Sequence, residues 1–370
     1  MPPTTNTGAT SRLSEVVEQS KTADLTALSC PLPLPAGGRI LLGHGSGGKL
    51  SADLLKDLFL PALGNPVLNR LEDQAVVSLN GLRLAITTDS FVVKPLFFRG
   101  GDIGSLAIHG TINDLAMGGA EPLWLSAAFI LEEGLPLETL KRVVTSMHEA
   151  AGNAGIEIVT GDTKVVEKGS ADGLFINTTG IGRVREGISL SASHAQPGDV
   201  ILVNGPLADH GIAILAEREG LQFETQVTSD SAALHTLVAR LLEAAPQVHC
   251  LRDPTRGGLS STLNEIAASS QVGMELDESS IPVREEVRGA CEMLGLDPLY
   301  VANEGKLVSI VPSAAAQAAL LGLQSHPLGR DACIIGRVTS EHRRMVALRT
   351  SFGTTRIVDM LAGDQLPRIC

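Results

Sequence analysis

The chain has 370 residues, of which 44% are hydrophobic, 19% charged and only 3% aromatic, with 39 glycines, so its interior must be built from Leu, Ile, Val and Ala between tight turns. A formal charge of −12 speaks against non-specific binding to nucleic acid or to an anionic membrane surface; a polyanionic substrate would need a metal ion, loop amides or a few placed cations. No run of about 18 apolar residues is present, and the start "MPPTTNTGATSRLSEVVEQSKTADL" has no apolar signal core, which reads as a soluble cytoplasmic protein.

Residues 1–38 read as a flexible lead closed by "CPLPLPAGG". From 39 to 186 strand-like and helix-like runs alternate. "RLAITTDSFVV", "PLWLSAAFIL", "IEIVTGDTKVV" and "GLFINTTGIGRV" read as strands, and "DIGSLAIHGTINDLAMGG" and "PLETLKRVVTSMHEAAGNAG" as helices. A second pass, 187–360, opens with the strand, turn and helix of "PGDVILVNGPLADHGIAILAERE" and continues through "DPTRGGLSSTLNEIAAS" to the strands "KLVSIV" and "ACIIGRV". Two mixed α/β (α+β) domains followed by a mobile tail, 361–370, is the expected organisation. The five cysteines, Cys30, Cys250, Cys291, Cys333 and Cys370, are scattered without zinc or disulfide spacing. Four read as small apolar residues, but Cys370 stands at the end of the chain, where a thiol can travel.

The chemistry-bearing residues fall at the ends of apolar runs. "GHGSGGK" offers Gly45, Ser46, Gly47, Gly48 and Lys49 as a loop whose amides can approach a polyanion, or as a plain turn into the helix "LSADLLKDLF". It is not a normal phosphate loop, since Leu50 stands where Ser or Thr would hold magnesium. Asp73, Asp89, Asn113 with Asp114, Asp162 and Asp253 each close an apolar run. Each alone also reads as a turn or cap residue; together they suggest a convergent acidic site suited to Mg²⁺ and phosphate. Lys164 and Glu167 follow a strand, as proton-handling groups or as a surface ion pair. "DPTRGG" places Asp253 and Arg256 beside a glycine pair at a helix start, and "NEGK" places Glu304 and Lys306 before an apolar strand.

Together "HGSGGK", "TTDSFVVKPLFFRGGDIG", "GTINDLAMGGAEP", "FILEEGLP", "VTGDTKVV", "FINTTGIG", "DPTRGGL", "NEGKLV" and the terminal "PRIC" resemble the hydrogenase maturation factor HypE family, from about Leu41 to Cys370. That family sits in the wider superfamily of aminoimidazole ribonucleotide synthetase, selenophosphate synthetase and thiamine-monophosphate kinase. The resemblance implies that a carbamoyltransferase, HypF, loads a carbamoyl group onto the Cys370 thiol. It further implies that the ATP-bound enzyme dehydrates the thiocarboxamide to a thiocyanate, and that the cyano group passes to iron on a HypC–HypD scaffold. By matched motif, Cys370 is the carrier and Asp73, Asp89, Asp114 and Asp253 hold Mg²⁺ and phosphate. Gly45, Ser46, Gly47, Gly48, Lys49, Asp89, Asn113, Asp162, Thr163 and Arg256 surround the ATP, while Lys164, Glu304 and Glu167 handle protons or position the amide. Pro367 would limit the tail's entropy and Arg368 would offset the terminal carboxylate. The superfamily likeness also implies a homodimer whose N-terminal halves share a barrel, with ATP at the subunit junction. The competing readings are another superfamily member acting on a free substrate, for which the glycine loop lacks a cysteine beside His44 and Ser46, and a nucleotide-binding scaffold without turnover.

Overall fold

The computed structural model describes residues 38–221, 227–363 and 368–370. The expected lead, with Cys30, and Pro367 in the tail lie outside the described residues, apart from Gly38 at the end of the lead. Two sheets carry the fold. The first has five strands, β1 (Ala75–Leu79), β2 (Leu82–Phe91), β3 (Ala120–Glu132), β4 (Glu157–Val166) and β5 (Leu174–Val184), in the order β1-β2-β5-β3-β4. All neighbours are antiparallel except β3 and β4. Among the described residues this sheet is open; no barrel closes within one chain.

Period-two patterning sorts its faces. Along β2, Ala85, Thr87 and Phe91 turn inward and are buried, whereas Ile86, Thr88 and Ser90 turn outward. Asp89 therefore shares the inner face with Thr87, which is how a carboxylate in an apolar strand comes to point at the protein interior. Helix α1 (Ile103–Met117) covers that inner face, its start fixed by Asp102, whose side chain accepts from the N–H groups of Gly104 and Ser105 at 2.7 and 3.1 Å. It is apolar nearly all round because it is buried nearly all round, between the sheet and the amphipathic helix α2 (Leu137–Ala154). Asp114, near the end of α1, thereby faces β2.

The second sheet has seven strands, β6 (Val200–Val203), β7 (Cys250–Arg252), β8 (Gly273–Asp277), β9 (Val308–Val311), β10 (Cys333–Thr339), β11 (Val346–Arg349) and β12 (Thr355–Ile357), in the order β12-β11-β8-β10-β6-β9-β7. Around it lie α3 (Asp209–Glu219), α4 (His235–Ala244), α5 (Gly258–Ser270), α6 (Glu285–Leu294) and α7 (Ala316–Gln324). The runs read as strands and helices from sequence form those elements. One expected strand is shorter: "RLAITTDSFVV" stops pairing within its sheet at Phe91, because the backbone of Val92 and Lys94 bonds to the chain terminus instead. Among the described residues no helix is long and apolar enough to cross a membrane.

Candidate active site

Four chain segments meet where β2, α1, the loop after β7 and the chain terminus approach one another. Thr87 Oγ1 donates to Asp114 Oδ2 at 2.7 Å, tying the inner face of β2 to α1. Asp73 Oδ1 pairs with Arg252 Nε at 3.0 Å, while its Oδ2 is buried with no partner. Burial pushes the Asp73, Asp89 and Asp114 carboxyls above their ordinary range. Asp89 and Asp253 add to the rise at Asp114, and Arg252 and Arg256 oppose it at Asp73 and Asp89 respectively. Asp253 is pushed up to about 6, chiefly by burial against the pull of Arg252. Glu304, buried, is pushed well above its ordinary range by desolvation and by Asp253 and Asp89, and its Oε1 has no partner. These carboxylates form one mutually repelling wall. Among the described residues, no three acidic, imidazole or thiol side chains are arranged to hold a metal ion by themselves.

Arg256 is the cation set against this wall. Its Nη2 is 3.9 Å from Asp89 Oδ1 and its Nη1 donates to Gly45 O at 3.3 Å. The loop that carries it turns through Gly257, at φ +78°, where a Cβ would lie 2.2 Å from Ser261 Oγ; only glycine fits that turn. The glycine loop packs directly on it. A Cβ on Gly47, at φ +71°, would meet Arg256 O at 2.6 Å, and a Cβ on Gly48 would meet Leu361 O at 2.2 Å. Three of the loop's amides are already spent, since Ser46 N–H donates to Gly43 O, Gly47 N–H to Ser51 Oγ and Lys49 N–H to Leu361 O. The backbone here is thus close-packed against the segment leading to the tail.

The terminus lies in this site. Ile369 and Cys370 are buried, in the same apolar cluster as Phe91, Val93 and Ala302. The Cys370 thiol is pushed up to about 12 by burial; Arg256 works against the rise, while Glu304, Asp89 and Asp253 add to it. A cavity of about 290 Å³, lined among others by Gly45, Ser46, Ser90, Arg256, Tyr300 and Cys370, adjoins the thiol. The tail read from sequence as mobile is therefore docked at its end.

The other expected residues are placed differently. Asn113 spends its amide on the protein, donating to Ala232 O and Glu304 O and accepting from Leu234 N–H, so it holds the Glu304 segment rather than facing a ligand. Asp162, Thr163 and Lys164 lie on β4, an edge strand exposed along nearly its whole length, and Lys164 Nζ pairs with Asp162 at 2.8 Å. Asp162 and Thr163 line an open groove of about 1120 Å³ between β3, β4 and α2. Glu167 follows on the surface. Arg368 does not pair with the terminal carboxylate: its guanidinium is engaged by Asp172 and by Val92 O. Sequence reasoning passed over Asp172, His210 and Arg218, which grip the tail, and Asp230, which pairs with Lys306 Nζ at 2.8 Å and accepts from Glu304 N–H.

Comparison with known proteins places these features in a family. Residues 71–184 match the N-terminal domain and 196–348 the C-terminal domain of AIR synthase related proteins. The carbamoyl dehydratase HypE of Cupriavidus necator is 58% identical over 334 residues, covering 90% of this chain and 95% of that protein; its Escherichia coli counterpart is 51% identical over 336 residues, covering 90% and 99%. Among solved structures, a HypE–HypF complex aligns at TM-score 0.80 with 50% identity, covering 83% of this chain and 99% of its counterpart. The hydrogenase maturation protein HypE in complex with ATP aligns at 0.76 with 52% identity, covering 90% and 100%. A thiamine monophosphate kinase of Aquifex aeolicus, at 19% identity and TM-score 0.61, covering 85% of this chain and 99% of its own, shares the fold. The chain belongs to the HypE family, the carbamoyl dehydratases of hydrogenase maturation.

Proposed function

We propose that this enzyme carries a carbamoyl group on the Cys370 thiol and dehydrates it to a thiocyanate at the expense of ATP, in the cytoplasm. The observation that carries the reading is the burial of the terminal thiol among Asp89, Asp253, Glu304 and Arg256. A thiocarboxamide formed there would lie within a wall of groups able to hold charge and take protons. Net, RS–C(O)NH₂ and ATP give RS–C≡N, ADP, phosphate and a proton.

ATP would supply the phosphoryl group that makes the amide oxygen a leaving group, and Mg²⁺ would neutralise phosphate charge. The residues fit both. Mg²⁺ shares one or two carboxylates with phosphates and water rather than needing a protein cage, and a wall of mutually repelling carboxylates with an unpartnered Asp73 Oδ2 wants a cation. Asp73, Asp89, Asp114 and Asp253 are the candidate ligands, with Gly45, Ser46, Gly47, Gly48, Lys49 and Arg256 on the nucleotide side. Glu304, buried with a free Oε1 and held above the ordinary carboxylate range by desolvation, has the character of a group that takes and keeps a proton. Arg256 opposes negative charge developing on the amide oxygen.

Lys164, Glu167, Asp162 and Thr163 enter this reading only through a second copy. The outer face of the first sheet exposes Ile86, Trp124 and Ile130, and β4 exposes Ile158, Val159 and Val165, apolar surface that a homodimer would cover. The tail must also leave its dock to be loaded by a HypF-type carbamoyltransferase, and the cyano group would pass to a HypC–HypD scaffold.

Intact mass after incubation with the transferase, carbamoyl phosphate and Mg-ATP tests the reading against Cys370→Ala. The expected result is a carbamoyl adduct on the tail that loses water only with ATP. Absence of any adduct, with a transferase verified on another acceptor, overturns it, and turnover of a free substrate by Cys370→Ala would favour a different superfamily chemistry.

A further inference from the structure

The last three residues are held by groups that the dehydration chemistry does not use. Val92 N–H donates to Cys370 O at 3.0 Å and Lys94 N–H to Arg368 O at 3.2 Å, a short ladder between tail and body. Two side chains of α3 close over it. Burial pushes the His210 imidazole toward its neutral form, so Nε2–H donates to Ile369 O at 2.8 Å while Nδ1 accepts from Ser229 Oγ at 2.8 Å. Arg218 Nη2 donates to both Lys94 O and Arg368 O, each at 2.8 Å. Arg368 itself sits at φ +56°, a conformation that a non-glycine residue keeps only where its surroundings enforce it.

The Arg368 side chain is held by Asp172, just before β5. Its Oδ2 accepts from Lys94 Nζ at 2.9 Å and also from the Arg368 guanidinium. Lys94 belongs to the body and Arg368 to the tail, so a single carboxylate oxygen holds two like charges together across the seam. Without it the two cations repel, and the repulsion acts on the docked state alone. The grip is also uneven. Ile369 and Cys370 are buried, whereas the Asp172 and Lys94 side chains are 41% and 58% exposed, so salt screens the clasp without touching the apolar anchor.

We propose that Asp172 is a positioning residue that sets how much of the time the Cys370 tail is docked, by clasping Lys94 to Arg368. The consequence for function rests on the carrier reading above: loading needs the thiol out, dehydration needs it in, and each apparent rate scales with the competent fraction. Weakening the clasp therefore moves the two steps in opposite directions. A residue that merely supports the fold would lower both.

The test is the alkylation rate of Cys370 by iodoacetamide in the native full-length enzyme, followed on the tail peptide by mass spectrometry. Asp172→Asn is expected to raise that rate about tenfold at low salt, the size of two weak exposed pairs turned to repulsion, and Asp172→Glu to restore most of the protection. The parent rate should climb toward that of Asp172→Asn between about 0.05 and about 0.5 M salt. Continued protection of the buried Cys250 and Cys291 shows that the variant is folded. With the transferase, Asp172→Asn should load faster and, once loaded, dehydrate more slowly than the parent. Equal alkylation rates at low salt, or equal losses in both steps, overturn the proposal. Failure of the carrier reading would appear differently, as a parent tail that takes no carbamoyl group while the alkylation contrast stands.

Discussion

The Nη2 atom of Arg256 lies 3.9 Å from Oδ1 of Asp89, and the same guanidinium is the charge that lowers the pKa of the Cys370 thiol, so one cation serves both the acidic wall and the carrier. Removing it should push Asp89 and the docked thiol further toward their neutral forms. Arg256→Gln is expected to slow dehydration about 10²- to 10³-fold, the usual size for one donor aimed at developing charge, and to leave loading by the transferase intact. Single-turnover mass analysis of loaded enzyme separates the steps. Equal losses in both would show that Arg256 holds the fold rather than the chemistry.

Asp209 gives a pH signature away from the acidic wall. One oxygen is 3.5 Å from Arg284 Nε, the other is buried without a partner, and burial pushes the carboxyl up from 3.8 to about 6 against the pull of Arg284. The folded chain thus keeps a proton that the unfolded chain has released, so this group's stabilisation is present below about pH 4 and lost as pH rises through about 6. At about 1.4 kcal/mol per pH unit it is worth about 3 kcal/mol at most. Asp209→Asn should gain on the parent by up to that amount between pH 4 and 7 in urea unfolding. Parallel pH profiles would contradict this.

The exposed sheet face can be read with the chain's single tryptophan. Trp124 is 46% exposed on β3, two strands from Ile86, and Ile130 follows on the same face. Ile130→Glu is expected to give a monomer in sedimentation, with Trp124 emission shifted to the red of the parent and dehydration lost with the second copy's Lys164. A parent that stays monomeric at every concentration would remove the dimer from the mechanism.

Much of this site was legible in the letters. Strand and helix periods are local, so "AITTDSF" already put Asp89 on the same face as Thr87, and "DPTRGG" announced a turn that only glycine makes. The terminal cysteine marked a thiol that could travel, and only the family resemblance implied a carrier. What could not be read were closures between distant segments. Asp172 meets Arg368 across 196 residues and His210 meets Ile369 across 159, and no period or spacing encodes such a meeting. For the same reason Asn113 passed for a ligand while its amide is committed to the backbone at 232–234 and 304, and Arg368 was matched to the terminal carboxylate although Asp172 had a stronger claim.

Strand β4 has a consequence for handling the protein. It is a ten-residue sheet edge with Ile158, Val159 and Val165 turned to solvent, and its unpaired side is a template for any other chain. Its charged residues are Glu157, Asp162 and Lys164, with Thr160, Gly161 and Thr163 between them. On the proposed homodimer reading, dilution would uncover this edge, so dilute stocks should lose material to surfaces and fibrous aggregates sooner than concentrated ones.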